Sequence, residues 1–212
     1  MSHENASLRI CRYLKGTIEE GSLYLSDKYN LSLNCFVDYD FCGLWNIEDT
    51  HDPISAKSRI GYVILLAYCP ILWVSKIQSF VALSTLESEY VSLSCSLRYI
   101  IPLFSLMKEI YSYFHFDKKS YCNTHSTVYE DNNGALLLST VQKLISRTKH
   151  INVIYHCFHS YVGSVLRIIK VDNKEQKGDI CTKALDETTF RNIRLLLCGW
   201  YFGQKVVSQE SM

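Results

Sequence analysis

The sequence predicts a mixed α/β domain, and three of its features do so. Leu31, Leu33, Cys35 and Val37 alternate with Ser32, Asn34, Phe36 and Asp38, the period of a strand with one face buried deeper than the other. From Ser84 onward, Leu86, Tyr90, Leu93, Leu97, Ile100, Phe104, Met107 and Tyr111 step by four and three, the apolar stripe of a long helix. After that helix, strand and helix patterns take turns. Strands first and alternation afterwards give a mixed sheet with helices packed against it.

The chain's 212 residues fit one large domain, or one domain with appendages. A formal charge of +1 supplies no global attraction to nucleic acid, so any such binding must rest on a local patch. The nine cysteines are odd in number, lack any Cys-x-x-Cys pair and sit mostly among apolar neighbours. They read as buried, reduced thiols in a cytosolic setting, not as a disulfide framework or zinc site. The N-terminus carries no signal-peptide core. The longest apolar run, Gly61 to Val74, is broken by Pro70 and is too short to span a bilayer.

Taken in order, Ala6 to Leu14 shows a short helical pattern that ends at Gly16. Gly21 to Leu25 reads as a strand leading to the Leu31 strand, which stops at Cys42-Gly43. Glu48 to Lys57 is a polar loop holding Pro53. RIGYVILLAY from Arg59, ILWVSK and SFVALS predict two or three adjacent, antiparallel strands. Pro102 falls within the long helix and is expected to kink or split it near Ile101. Thr127 to Glu130 is a short strand that turns through Asp131-Asn132-Asn133-Gly134 into a helix. Arg147 to Val162 has helical spacing, Val165 to Val171 is the last strand, and Gly178 to Leu185 and Phe190 to Leu197 are short helices.

Four acids lie at element ends: Asp38 at the close of the first strand, Glu89 early in the long helix, Asp131 after TVYE, and Asp179 opening a late helix. Apolar residues running into closely spaced acids are how a sheet edge offers oxygen ligands to a hard cation. Each acid also has an ordinary use. Asp38 could solvate a strand end, Glu89 a helix surface; Asp131 could cap the helix after it, and Asp179 could complement a helix dipole. Asp40 and Glu87 lie two residues from candidates. Ser84-Thr85-Leu86-Glu87 is a capping box that gives Glu87 a local backbone partner, whereas Glu89 points along the buried stripe.

Six collinear segments resemble the ribonuclease H domain of copia-type LTR retrotransposon Pol polyproteins. They are RICRYLKGT (9–17), FVDYDFCG, the run 56–90 ending in STLESEY, YEDNNGAL (129–136), SRTKHINVIYH (146–156) and GDICTKAL (178–185). The first resembles the stretch joining the reverse transcriptase to that domain. Residues 1–20 are accordingly expected to be the tail of a preceding reverse transcriptase or connection region, 21–200 the ribonuclease H-like domain, and 201–212 a C-terminal tail.

The resemblance implies a ribonuclease H-like α/β fold, a central mixed five-stranded sheet with helices on both faces. It implies that Asp38, Glu89, Asp131 and Asp179 form the catalytic and metal-binding tetrad, holding two Mg²⁺ ions roughly 3.5–4 Å apart, with Mn²⁺ as a substitute. The implied reaction is endonucleolytic hydrolysis of the RNA strand of an RNA–DNA hybrid during reverse transcription. Arg147, Lys149 and His150 open a helix as a basic cluster, either meeting the phosphates of such a duplex or simply solvating a helix start. The implied partners are the hybrid and the reverse transcriptase domain of the same polyprotein, with no membrane. The implied location is a cytoplasmic retroelement particle, with the nucleus as an alternative. No Tyr-x-Asp-Asp polymerase motif occurs.

The sequence departs from the family pattern at five places, one of them Pro102 in the long helix. Phe41 replaces a tryptophan, Glu130 a cysteine and Asn152 an aspartate, and no His stands just upstream of Asp179. None removes a proposed ligand. A second expectation follows from them: a catalytically silent or exapted remnant that acts as a binding protein.

Overall fold

The computed structural model describes residues 3–24, 32–45, 47, 51–114, 126–140 and 158–199. Its centre is a five-stranded sheet of β1 (Leu33–Asp40), β2 (Arg59–Leu66), β3 (Cys69–Ile77), β4 (Ser126–Glu130) and β5 (Leu166–Lys170), in the order β3-β2-β1-β4-β5. The first three strands pair antiparallel and β4 and β5 join parallel, so the sheet is mixed, as expected.

β1 is central and covered on both faces. Its odd residues Leu33, Cys35 and Val37 join Tyr62, Ile64 and Val128 in a core beneath α2 (Thr85–Tyr113). Its even residue Phe36 joins Val63, Leu65 and Val171 in a smaller cluster on the opposite face, where Ile180, Cys181 and Leu197 pack. Helices therefore lie on both faces: α2 and α3 (Asn133–Thr140) on one, the 3₁₀ helix Lys177–Cys181 and α4 (Glu187–Leu197) on the other. α1 (His3–Gly16) buries none of its residues and meets α4 where the Tyr13 ring packs edge-on against Phe190 at 6.2 Å.

α2 comes close to the sheet because its facing side is small. Ser88, Ser92 and Ser96 recur at i+4, and all three are fully buried. Ser92 Oγ donates to the Asp38 carbonyl at 2.7 Å and Ser88 Oγ to Ser58 Oγ at 2.7 Å. This helix is long and apolar enough to cross a membrane by length and composition alone. Half of its apolar window is buried inside the domain, the pattern of a core helix.

Several expectations are corrected. Pro102 neither splits α2 nor ends it: the helix is continuous from Thr85 to Tyr113. Pro102 and Arg98, whose carbonyl loses its intrahelical donor, both lie on the exposed side where water can satisfy that oxygen, while Ile100 and Phe104 stay anchored in the core. Gly21 to Tyr24 is not a strand; Leu23 N donates to Cys198 O at 2.8 Å at the end of α4, and Tyr24 reaches the edge strand β3 only through its hydroxyl, which donates to the Pro70 carbonyl at 3.2 Å. SFVALS forms no third strand. Ala67-Tyr68, read as strand, is the two-residue turn between β2 and β3, with both residues at positive φ (50° and 66°). The helix expected over Gly178–Leu185 is the shorter 3₁₀ helix Lys177–Cys181, and α4 begins at Glu187 behind the cap Asp186. Most of the helix expected over Arg147–Val162 lies outside the described residues; His159–Tyr161 at its end is a 3₁₀ turn.

A candidate active site at the end of the central strands

Asp38 is the first anchor. The strand's alternation turns its side chain away from α2, toward the Lys177–Cys181 turn, where it is 1% exposed. Two features hold that turn against β1. Gln176, fully buried, donates Nε2 to the Val37 carbonyl at 2.8 Å and accepts from Gly178 N at 3.2 Å. Gly178 then passes so close that a Cβ there would stand 3.0 Å from Asp38 N and Cβ. Thr182 Oγ1 consequently donates to Asp38 Oδ2.

Lys183 completes this half of the site. Its ammonium donates to Asp38 Oδ1 at 3.0 Å and to Asp179 Oδ1 at 2.9 Å, tying the first and last predicted acids together. Burial raises the Asp38 carboxyl to about 6, against the lowering effects of Thr182 and Lys183. Burial would pull Lys183 down, but its bonds to Asp179 and Asp38 outweigh that and raise it.

The other half is built by α2 and β4. The Ser84 cap starts α2 as expected: Ser84 Oγ accepts from Glu87 N at 3.2 Å, and the Glu87 carboxylate takes Leu83 N at 2.7 Å. Glu87 is thus spent on the helix start, and Glu89 is left to face the sheet, 2% exposed. Glu89 accepts side-chain hydrogen bonds from Asn132 and Tyr39, while burial and the charges of Asp131 and Asp38 raise it to about 7. Asp131 does not cap α3. Asn132 does, its Oδ1 accepting from Gly134 N at 2.6 Å and Ala135 N at 3.3 Å, which leaves Asp131 available to the site.

The four predicted acids therefore meet at one end of the sheet. Glu89, Asp131 and Lys183 border one open, polar cleft of about 360 Å³, with Tyr39, Asp40 and Asn173 among its other walls. Asp40 is the less enclosed of the two strand acids and sits over Gly43, where a Cβ would collide with its carboxylate. Arg147, Lys149 and His150 lie outside the described residues.

Sequence reasoning missed three members of this site. Lys183 stands four residues after Asp179, a spacing that signals an ion pair. Glu130 stands where the family pattern has cysteine, a departure that marked the position without explaining it. Tyr39 carried no signal, because its bond to Glu89 crosses from β1 to α2. Glu130 is 1% exposed, and burial with the charge of Glu89 raises its carboxyl well above the usual range. One ligand oxygen each from Glu89, Glu130 and Asp131 lie within 4.8 Å of one another. Oε2 of Glu89 and Oε2 of Glu130 are buried and have no hydrogen-bond partner. Buried carboxylate oxygens of this kind call for a cation or a proton, so the residues present fit a divalent metal.

A mixed five-stranded sheet in the order β3-β2-β1-β4-β5 with helices on both faces is the α/β architecture expected of a ribonuclease H-like fold. Among known proteins the chain is 34% identical, over 90% of its length, to the retrovirus-related Pol polyproteins from transposons RE2 and RE1 of Arabidopsis thaliana. It is 31% identical over 89% of its length to the corresponding polyprotein from transposon TNT 1-94 of Nicotiana tabacum. The chain is thus a homologue of one segment of copia-type Pol polyproteins. It spans only 12–13% of the length of those relatives. A solved structure, the N-terminal RNase H domain of Rv2228c from Mycobacterium tuberculosis fused to maltose-binding protein, aligns with a TM-score of 0.47. It is 9% identical and covers 77% of this chain and 96% of its own. No family model matches the chain.

Proposed function

We propose that this domain is a metal-dependent endonuclease that hydrolyses the RNA strand of RNA–DNA hybrids, as a unit of a retrotransposon polyprotein. The observation that carries this reading is that four distant acids gather at one end of the sheet, Glu89 and Asp131 lining a cleft that Lys183 connects to Asp38 and Asp179. Asp38 and Asp179 are joined through Lys183, and Glu89 and Asp131 lie within metal-sharing reach. Asp38, Glu89, Asp131 and Asp179 would hold two Mg²⁺ ions, or Mn²⁺ in their place. When bound, such a pair supplies the Lewis acidity that activates a water and stabilises the leaving 3′ oxygen in an in-line displacement.

The chain's own groups prepare that chemistry. Thr182 and Ser92 fix the Asp38 carboxylate and carbonyl, so β1 presents its acid without searching rotamers. Tyr39 and Asn132 orient Glu89 across the cleft. Lys183 neutralises part of the negative charge that a phosphodiester would otherwise meet. RNA would be told from DNA through 2′-hydroxyls across the minor groove, with Arg147, Lys149 and His150 on the phosphates. The reverse transcriptase domain of the same polyprotein would deliver the hybrid, in a cytoplasmic retroelement particle or the nucleus.

Cleavage of a hybrid labelled on the RNA strand, in Mg²⁺ and in EDTA, tests this. The wild-type chain should cut only with metal, and Asp38→Asn, folded by circular dichroism, should not cut. One observation favours the silent remnant instead: Lys183 already pairs with two of the four acids. A folded, metal-loaded wild-type chain that leaves hybrid intact would decide for the remnant.

A further inference from the structure

We propose that Glu130 is a fifth carboxylate of this centre, joining Glu89 and Asp131 to hold one divalent cation where α2 meets the end of β4. The inference deepens the metal-centre reading above and rests on it.

The alternation of β4 puts Ser126, Val128 and Glu130 on the face covered by α2. Val128, two residues back, is fully buried in the core. An apolar or cysteine side chain would suit the next position on that face; a glutamate there, 1% exposed, is costly unless something meets its charge. Its Oε1 accepts only a long bond from Asn132 N, at 3.3 Å. Its Oε2 has no partner, and neither does the Oε2 of Glu89 across the helix–strand junction.

Geometry and charge agree on what those two oxygens want. Ligand oxygens of Glu89, Glu130 and Asp131 lie within 4.8 Å of one another. Oxygens around one Mg²⁺ at about 2.1 Å stand up to about 4.2 Å apart, so a small closing movement brings the three onto a common ion. Asp38, Glu89, Glu130, Asp131 and Asp179, less the Lys183 ammonium, leave four negative charges when ionised. Asp40 borders the same cleft and adds to that surplus of negative charge, which divalent cations offset.

Mn²⁺ binding to the full chain, followed by electron paramagnetic resonance and calorimetry, tests the assignment. Glu130→Gln and Glu130→Cys should each weaken one Mn²⁺ site at least tenfold and leave a second. Affinities within twofold of wild type in both variants overturn it. If neither variant folds, anomalous diffraction from wild-type crystals soaked in Mn²⁺ decides. A manganese peak about 2.1 Å from a Glu130 oxygen supports the proposal, and manganese ligated without Glu130 overturns it. Hybrid cleavage by wild type with unchanged Mn²⁺ affinity in both variants removes Glu130 and keeps the nuclease. Tight binding that depends on Glu130 without any cleavage does the reverse.

Discussion

Asp38 lies directly opposite Gly61 in the β1–β2 register, and the missing side chain at Gly61 is what lets Cys181 and Thr182 settle beside the Asp38 carboxylate. A Cβ at Gly61 would stand 2.5 Å from Thr182 Cγ2 and 2.7 Å from Cys181 Cβ. Gly61→Val should therefore lift Thr182 off Asp38. The expected cost is about 1–3 kcal/mol of stability, as for other overpacked cores, with hybrid cleavage falling along with it. Urea denaturation and a cleavage assay measure both, and a variant as stable as wild type would remove this role from Gly61.

Gln176 is the pin between the late turn and β1. In Gln176→Leu the Val37 carbonyl and the Gly178 N–H would both lose their side-chain partner in a buried place. Leaving buried polar groups unpaired costs about 1–3 kcal/mol. The denaturant midpoint should drop accordingly with the m-value unchanged, and a midpoint equal to wild type would refute the assignment.

Lys183 is expected to matter most when no metal is present. Without its ammonium, Asp38 and Asp179 face each other's charge across the site. Lys183→Met should lose about 1 kcal/mol in EDTA, roughly 2–4 °C of Tm for a chain of this size. Mg²⁺ should narrow that gap, because it supplies the positive charge the variant lacks. Calorimetric scans in the two conditions compare them; an equal gap in both would contradict the prediction.

Three buried acids, Asp38, Glu89 and Glu130, give the metal-free protein a pH dependence. Burial holds Glu89 at about 7 and Asp38 at about 6, both above the values of roughly 4 they take when unfolded. An acid with a raised folded pKa binds more protons folded than unfolded between those two values, so stability falls as pH rises through that window. Tm in EDTA should decline from about pH 4.5 to about pH 7, and Glu130, also raised by burial, extends the decline at the alkaline end. Mg²⁺ should restore stability at about pH 8 and do little near pH 5, since ligands must be ionised to bind. A Tm in EDTA that rises across this window would show that these acids are not buried as described.

Much of the fold was legible because local chemistry and tertiary packing agree. The period of two in β1 and the four–three stripe of α2 record which faces are covered, and both elements lie where those patterns fall. The Ser84–Glu87 cap separated Glu87 from Glu89 before any coordinates did. Local rules failed where a distant group decides. The Ala67-Tyr68 turn has no glycine or asparagine to announce its positive φ, and it forms because the β2–β3 pairing demands it. Pro102 satisfies every rule for a break, yet the core contacts of Ile100 and Phe104 hold the helix through it.

By itself the sequence determined the main strands, the long helix and the kinship with one segment of copia-type Pol polyproteins, and it nominated four acids, because these are written in residue types and short-range spacing. Only the tertiary structure decided which charges meet. That Asn132 and not Asp131 caps α3, that Lys183 spans Asp38 and Asp179, and that Glu130 lies buried against Glu89 are consequences of register and packing between elements far apart in the chain. Spacing along a sequence carries no information about such distances until the sheet has closed.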